Sequence, residues 1–193
     1  MLSHKKKSKI VWFTGMSGAG KSYYSKFMEE KLNKYNKTVN LIDGDIIRDK
    51  YKIKVGFDYN EICDNNRNIA KLCDKEYKKY DITIVSVISP YELIRQEIKN
   101  IFEDDFLLIY VYSDINSLKD RDTKGLYRKA DMGLIDNLIG YSKKSVYEPP
   151  VSPDLTLDTS NNINPSENIK LLNYFMDKNI LWLVLGFSLI III

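Results

Sequence analysis

The stretch Ile10-Val11-Trp12-Phe13-Thr14-Gly15-Met16-Ser17-Gly18-Ala19-Gly20-Lys21-Ser22 decides how the rest of the chain is read. Its first five residues are β-branched or aromatic and read as a fully buried strand. The strand breaks at Gly15 into a glycine-rich turn with the spacing G-x-x-x-x-G-K-S, the phosphate-cradling P-loop. Gly15, Gly18 and Gly20 let the backbone turn its N–H groups inward, and Ala19 is small enough not to obstruct them. A helix starting near Gly20 adds the positive end of its dipole. In this pattern Lys21 meets the β- and γ-phosphates and the Ser22 hydroxyl can ligate Mg²⁺.

Beyond the loop, Tyr24, Phe27, Met28 and Leu32 recur at helical spacing, predicting a helix from Lys21 to about Asn36 packed on the first strand. Thr38 to Ile42 reads as a second strand, delivering Asp43, Gly44, Asp45 and then Arg48 to its C-terminal edge. In doubly wound sheets that edge is where ligands bind. One carboxylate can hold Mg²⁺ or orient an acceptor hydroxyl, and Arg48 can meet an anionic group.

A polar helix is expected over about 61–79, strands over Asp81–Ile88, Phe106–Tyr112 and Asp154–Asp158, and helices over Asp114–Asp120, Pro165 to about Lys178 and between the third and fourth strands, where Arg95 sits about one turn in. Strands alternating with helices predict an α/β fold in three layers around a central, mostly parallel sheet. Ser89 and Tyr91 fall at the edge of the third strand. The basic run Arg121-Asp122-Thr123-Lys124-Gly125-Leu126-Tyr127-Arg128-Lys129 reads as a lid whose cations close over nucleotide phosphates and exclude water.

With 193 residues, 44% hydrophobic and 28% charged, the chain has the makings of one ordinary globular domain. A net charge of +3 is too small to argue for a nucleic-acid partner. His4 is the sole histidine and lies in a polar leader, which sets aside histidine-based acid–base or zinc chemistry. Cys63 and Cys73 have no metal-ligand spacing and read as reduced thiols of a cytoplasmic protein. Residues 1–9 form a basic leader, 10–179 the domain, and 180–193 an apolar C-terminal tail. The tail, Ile180 to Ile193, is fourteen uncharged residues, short of the about 18 that mark a spanning helix. It reads as a short membrane tether, a truncated transmembrane segment or a non-native extension.

Taken together, WFTGMSGAGKS (Trp12–Ser22), DGDIIR (Asp43–Arg48), ISPY (Ile88–Tyr91), RDTKGLYRKA (Arg121–Ala130) and SPDLTLDT (Ser152–Thr159) resemble the adenylylsulfate kinase family from about Ile10 to Leu171. The resemblance implies a P-loop kinase fold with a basic lid, and ATP-dependent phosphorylation of the 3′-hydroxyl of adenosine 5′-phosphosulfate. It implies ATP held by Gly18 to Tyr23, Tyr23 included, with Arg121, Lys124 and Arg128 over the phosphates. The acceptor nucleotide would meet Asp45, Arg48, Phe57, Asn65, Arg67, Ile88, Ser89, Lys124, Gly125 and Leu138, with Phe57 stacking on the base. Lys21, Asp43, Asp45 and Ser89 would carry the chemistry, Ser22 and Asp43 the Mg²⁺. Ser89 matches a serine sometimes described as a phosphorylated intermediate, although direct in-line transfer needs only positioning and charge neutralisation. The family also implies a homodimer.

Departures from the family pattern gather on the acceptor side. Glu61 and Ile62 stand where an Asp-Arg pair is usual, Asn65-Asn66-Arg67-Asn68 carries one arginine fewer than usual, and Leu138 replaces a second stacking phenylalanine. A charge-assisted contact contributes about 1.5–3 kcal/mol and a stacked aromatic about 1–3 kcal/mol, so their loss bears on which nucleotide is accepted. A related acceptor such as cytidine diphosphoramidate is the alternative within the family. An inactive nucleotide-binding module tethered by its tail is the alternative outside it.

Overall fold

The structure is a computed structural model that describes residues 8–46 and 56–181. Five strands form one sheet: β1 (Lys9–Thr14), β2 (Val39–Asp43), β3 (Ile82–Ser86), β4 (Phe106–Tyr112) and β5 (Leu155–Asp158). Their order is β2-β3-β1-β4-β5 and every pairing is parallel. Consecutive parallel strands need crossover connections, and the intervening segments supply helices for both faces of the sheet. These are α1 (Lys21–Lys34), α2 (Tyr59–Glu76), α3 (Glu92–Phe102), α4 (Ile115–Arg121), α5 (Leu126–Asp131) and α6 (Pro165–Met176).

β1 occupies the middle of the sheet, and its side chains alternate between two cores, as the period of two in a strand requires. Val11 and Phe13 join Ile84, Ile109, Met28 and Leu32 of α1 and Leu172 and Phe175 of α6. Ile10 and Trp12 join Val85, Leu108, Cys73 of α2 and Ile94 and Ile98 of α3. The expected three-layer α/β/α architecture is therefore present, with a wholly parallel sheet.

Two boundaries differ from the expected ones. Lys9, assigned by the sequence to the leader, opens β1. It is buried, with Nζ bonded to the Asp104 carbonyl and 3.5 Å from Asp105 Oδ1. Its aliphatic stem lies inside while its cation finds acceptors at the edge, so the charge did not exclude it from a strand. Ile180 and Leu181, expected in the tail, lie in a π-helical turn that continues α6 and are buried in the core with Met176. The remainder of the tail, 182–193, and the first seven residues lie outside the described residues. Among the described residues no helix is long and apolar enough to cross a membrane.

Helix ends are held by short polar side chains. Asp58 caps α2 in a reciprocal box with Glu61: Glu61 N–H donates to Asp58 Oδ1 at 2.8 Å, and Asp58 N–H to Glu61 Oε2 at 3.2 Å. The glutamate that departs from the family pattern thus has a local structural role. Asp114 caps α4 and accepts from the Ser117 hydroxyl and N–H, which hold its carboxyl down to about 2. Because the folded-state value lies below the ordinary value of about 3.9, this stabilisation is present above pH 4 and is lost as pH falls toward 2. Asp114→Ala is therefore expected to lower the thermal midpoint at pH 7. The gap to wild type should narrow as thermal scans are taken below pH 4.

Candidate active site

A cleft of about 890 Å³ lies along the C-terminal edge of the sheet, where the strands end and the loops begin. The phosphate loop forms its centre. β1 ends and the chain turns at Gly15, whose φ is 150°; a β-carbon there would lie 2.2 Å from the Val111 carbonyl oxygen. Gly20, at φ 100°, is the N-cap of α1, a position that a left-handed glycine accepts without strain. Gly15 itself stays behind the loop, whereas Gly18, Ala19, Gly20, Lys21, Ser22 and Tyr23 line the cleft.

Lys21 Nζ donates to the Gly15 and Met16 carbonyls, each at 2.8 Å, which places the ammonium inside the curve of the loop. Ser22 Oγ donates to Asp43 Oδ2 at 2.7 Å, joining the start of α1 to the end of β2. The other Asp43 oxygen accepts the Asp45 N–H at 2.9 Å. A hydroxyl and a carboxylate converging beside a phosphate cradle form an all-oxygen donor set that fits a hard cation such as Mg²⁺, which keeps several waters and takes its other ligands from phosphates. Among the described residues no group of three or more His, Cys, Asp or Glu side chains is placed to hold a metal ion.

The lid segment crosses above this point. Arg121 Nη1 donates to Thr159 Oγ1 at 3.3 Å and Nε to the Ser117 carbonyl at 3.1 Å, and Lys124 pairs with Asp45 Oδ2. Both cations line the cleft. Gly125 and Arg128, expected beside them, do not. The run from Leu126 forms α5, whose first N–H groups need an acceptor. Asp122 supplies it, accepting from Tyr127 N at 3.1 Å and Arg128 N at 3.0 Å. Burial pushes the Asp122 carboxyl up, but these backbone bonds outweigh it and leave the group below its usual range. Tyr127, buried and pushed up to about 12 by burial, donates its phenol to the Ser17 carbonyl at 2.8 Å. The lid helix is thereby fastened to the phosphate loop.

On the other side of Asp45, Phe57, Asn65, Ile88, Ser89 and Leu138 line the cleft. Phe57 is 58% exposed, as a ring awaiting a flat partner would be. Ser89 is 1% exposed with φ 44°, and its Oγ has no partner among the described residues. Arg67, expected here, points elsewhere: Nε and Nη2 grip the Glu97 carboxylate at 2.8 and 3.0 Å, and Nη1 meets Asp64 at 3.0 Å. With two carboxylates within reach on the outer face of α2 and α3, the guanidinium has no electrostatic reason to enter the cleft. Arg48 lies outside the described residues.

Several residues not expected at the site also line the cleft: Asn66, Ser86, Asn137 and Ile139, and Thr159, Ile163, Pro165 and Asn168. The latter four come from the loop after β5 and the first turn of α6, which only the closed sheet brings beside α1. Ile62 is buried and lines the cleft as part of the α2 core face, so the position that usually carries an arginine contributes an apolar wall here.

A parallel sheet of this order, a complete phosphate loop and a serine–aspartate pair at the neighbouring strand edge define a P-loop kinase. Residues 7–158 match the sequence model of the adenylylsulphate kinase family. An adenylyl-sulfate kinase of Halothermothrix orenii is 38% identical over 175 residues, covering 89% of this chain and 91% of its own length. One from Buchnera aphidicola subsp. Schizaphis graminum is 37% identical over 179 residues, 91% of this chain and 82% of its own. Among solved structures, the Mycobacterium tuberculosis APS kinase CysC in complex with AMPPNP and APS is similar at a TM-score of 0.79 and 28% identity. That likeness covers 89% of this chain and 98% of the other. The chain belongs to the adenylylsulphate kinase family.

The Tyr127–Ser17 bond offers a direct test of how the lid is anchored. Tyr127→Phe leaves a buried carbonyl unpaired and is expected to lower unfolding free energy by about 1–3 kcal/mol in urea titrations. It should also raise the KM for ATP, because the lid then sits less firmly over the loop.

Proposed function

We propose that the chain transfers the γ-phosphoryl group of ATP to the 3′-hydroxyl of adenosine 5′-phosphosulfate, giving 3′-phosphoadenylyl sulfate and ADP. The observation that carries this reading is the Ser22–Asp43 contact at the middle of the cleft. It sets a polyphosphate cradle on one side against a compartment with an exposed phenylalanine and a buried, unpartnered serine on the other. Family membership supplies the identities of donor and acceptor.

In this reading the N–H groups of Gly18 to Ser22 and the Lys21 ammonium hold the β- and γ-phosphates, and Arg121 and Lys124 meet the charge that spreads over the transferring group. Ser22 and Asp43 would hold Mg²⁺, which when bound neutralises phosphate charge. Asp43 or Asp45, the latter paired with Lys124 in this structure, would orient the acceptor hydroxyl and receive its proton. The acceptor oxygen then attacks phosphorus in line, the bond to the β–γ bridging oxygen breaks, and ADP leaves. Phe57 stacks on the acceptor base, with Leu138 opposite. The two free, buried cysteines, Cys63 and Cys73, accord with a reducing, cytoplasmic setting.

A second acceptor is favoured by one specific observation. Leu138 lines the cleft where the family resemblance expects a second stacking phenylalanine. A nucleotide with a smaller pyrimidine base, such as cytidine diphosphoramidate, would tolerate that weaker clamp.

The full chain supplied with Mg-ATP and each acceptor in turn should place a 3′-phosphate on adenosine 5′-phosphosulfate, read by mass spectrometry. A product formed from the cytidine nucleotide alone would move the assignment to the second acceptor. Lys21→Ala should reduce kcat by about 10²–10³, because it removes a charge aimed at the transition state. Unchanged turnover in that variant would mean that the cleft binds a nucleotide without performing transfer.

A further inference from the structure

The wall of the acceptor compartment is tied together by a guanidinium outside the cleft. Arg95, in the first turn of α3, is 1% exposed and its side chain is wholly buried. Its Nη1 donates to the Ser89 carbonyl at 2.7 Å and its Nη2 to the Glu148 carbonyl at 2.7 Å. Nε and Nη2 also reach Glu92 Oε2 at 3.0 and 2.6 Å. Its Cζ stands 5.9 Å from the Tyr147 ring centroid.

These partners belong to two segments that otherwise approach the cleft separately. One is the turn after β3, containing Ile88 and Ser89. The other is the return of the loop that carries Leu138 and Ile139. Glu148 N–H donates to the Pro90 carbonyl at 2.8 Å, and the Glu148 carboxylate accepts the Glu92 N–H at 2.7 Å. Thr14 Oγ1 contacts the Ile88 carbonyl at 2.6 Å and the Tyr147 phenol at 3.0 Å. At the point where all of this converges, Ser89 adopts φ 44° with its hydroxyl unpartnered. A non-glycine residue holds such a conformation only where its surroundings fix it.

We propose that Arg95 is a positioning residue for the acceptor: by bonding the Ser89 and Glu148 carbonyls at once, it holds the Ser89 hydroxyl and the Leu138–Ile139 wall in register with each other. The proposal rests on the reading of the Ser89 side as the acceptor compartment. A planar fork reaches acceptors spread along its edges, here two carbonyls and a carboxylate, whereas a lysine ammonium must gather its acceptors around a single nitrogen. None of the four bonds of Arg95 goes to the phosphate loop. The loop meets the Ile88–Ser89 turn through Thr14 Oγ1 and Gly15 N–H, contacts that Arg95 does not make, so the donor end should feel its loss less than the acceptor end.

The test compares Arg95→Lys, Ser89→Ala and the double variant in the full chain, using Mg-ATP and the acceptor that turns over. Arg95→Lys should raise the acceptor KM by about tenfold or more, since small misplacements in a binding wall carry such penalties. The KM for ATP and the calorimetric affinity for Mg-ATP should stay near wild type. Ser89→Ala should raise the acceptor KM by itself, and Arg95→Lys should add little to it, because the arginine acts through the serine. Equal rises in both substrates' KM, or full additivity in the double variant, would overturn the proposal. So would a normal acceptor KM in Arg95→Lys while Ser89→Ala is impaired, which leaves the acceptor reading standing. An unimpaired Ser89→Ala variant removes the role assigned to Ser89, and the proposal with it. If Arg95→Lys does not fold, Glu92→Gln takes its place: it weakens the carboxylate that holds Nε and Nη2 of the guanidinium. It should raise the acceptor KM more than the KM for ATP, and an unchanged acceptor KM there counts against the proposal.

Discussion

The close approach of residue 15 to the Val111 carbonyl, where a β-carbon would lie 2.2 Å from the oxygen, is the constraint on which the site depends. It forces glycine at the end of β1, and the conformation that glycine allows turns the chain so that α1 begins at Lys21 with its N–H groups toward the cleft. The height of Asp43 opposite is set by the sheet. Phe13 and Asp43 both pair with Ser86, so the ladder puts the carboxylate level with the last turns of β1. A slip of one residue in β2 would turn Asp43 to the other face and separate it from Ser22. The contact at 2.7 Å is thus a product of backbone register and a single permitted glycine, and local attraction alone does not account for it.

This explains which half of the site could be read in advance. The donor half is local: Gly15 to Ser22 are consecutive, and the spacing that cradles phosphate is the same in any sheet that presents it. The three layers were legible for a related reason, since β1 and β4 are runs of β-branched and aromatic residues too short for helices, and helical periodicity separates them. The acceptor half is assembled from five distant segments, and its members cannot be recognised by neighbours in sequence. Arg67 has the composition of an anion-binding residue, yet the carboxylates of Glu97 and Asp64 claim it once α2 packs on α3. Arg95 shows the reverse: nothing in its local sequence marks a charged residue for burial. Its place becomes intelligible only when the Ser89 and Glu148 carbonyls are seen to converge on it.

The ends of the domain misled the sequence for a physical reason too. Lys9 looks like leader because charge is read residue by residue, but a long side chain can enter a strand when acceptors lie within reach of its tip. Asp104 and Asp105 provide them. Ile180 and Leu181 look like the start of an apolar tail because the apolar run continues without interruption. Their burial beside Met176 shows that the core takes the first two residues of that run before the described chain ends.

The same anchors define how the lid can work. Asp122 holds the first N–H groups of α5 and Tyr127 bonds the Ser17 carbonyl, so both ends of the short stretch between them are fixed to the body of the protein. Within that stretch Gly125 has φ 64° and open space where a β-carbon would be, and the Lys124 side chain reaches across to Asp45. A rigid swing of the whole basic segment would break the Tyr127 bond and expose a buried ring. A local movement of Thr123 to Gly125 spares them and acts on the exposed Lys124–Asp45 pair, worth at most about 1 kcal/mol, and on the Gly125 backbone bonds to Asp122 and Lys129. Movement confined to the tip would thus leave the Tyr127 anchor and its buried ring in place while changing the partner of Lys124.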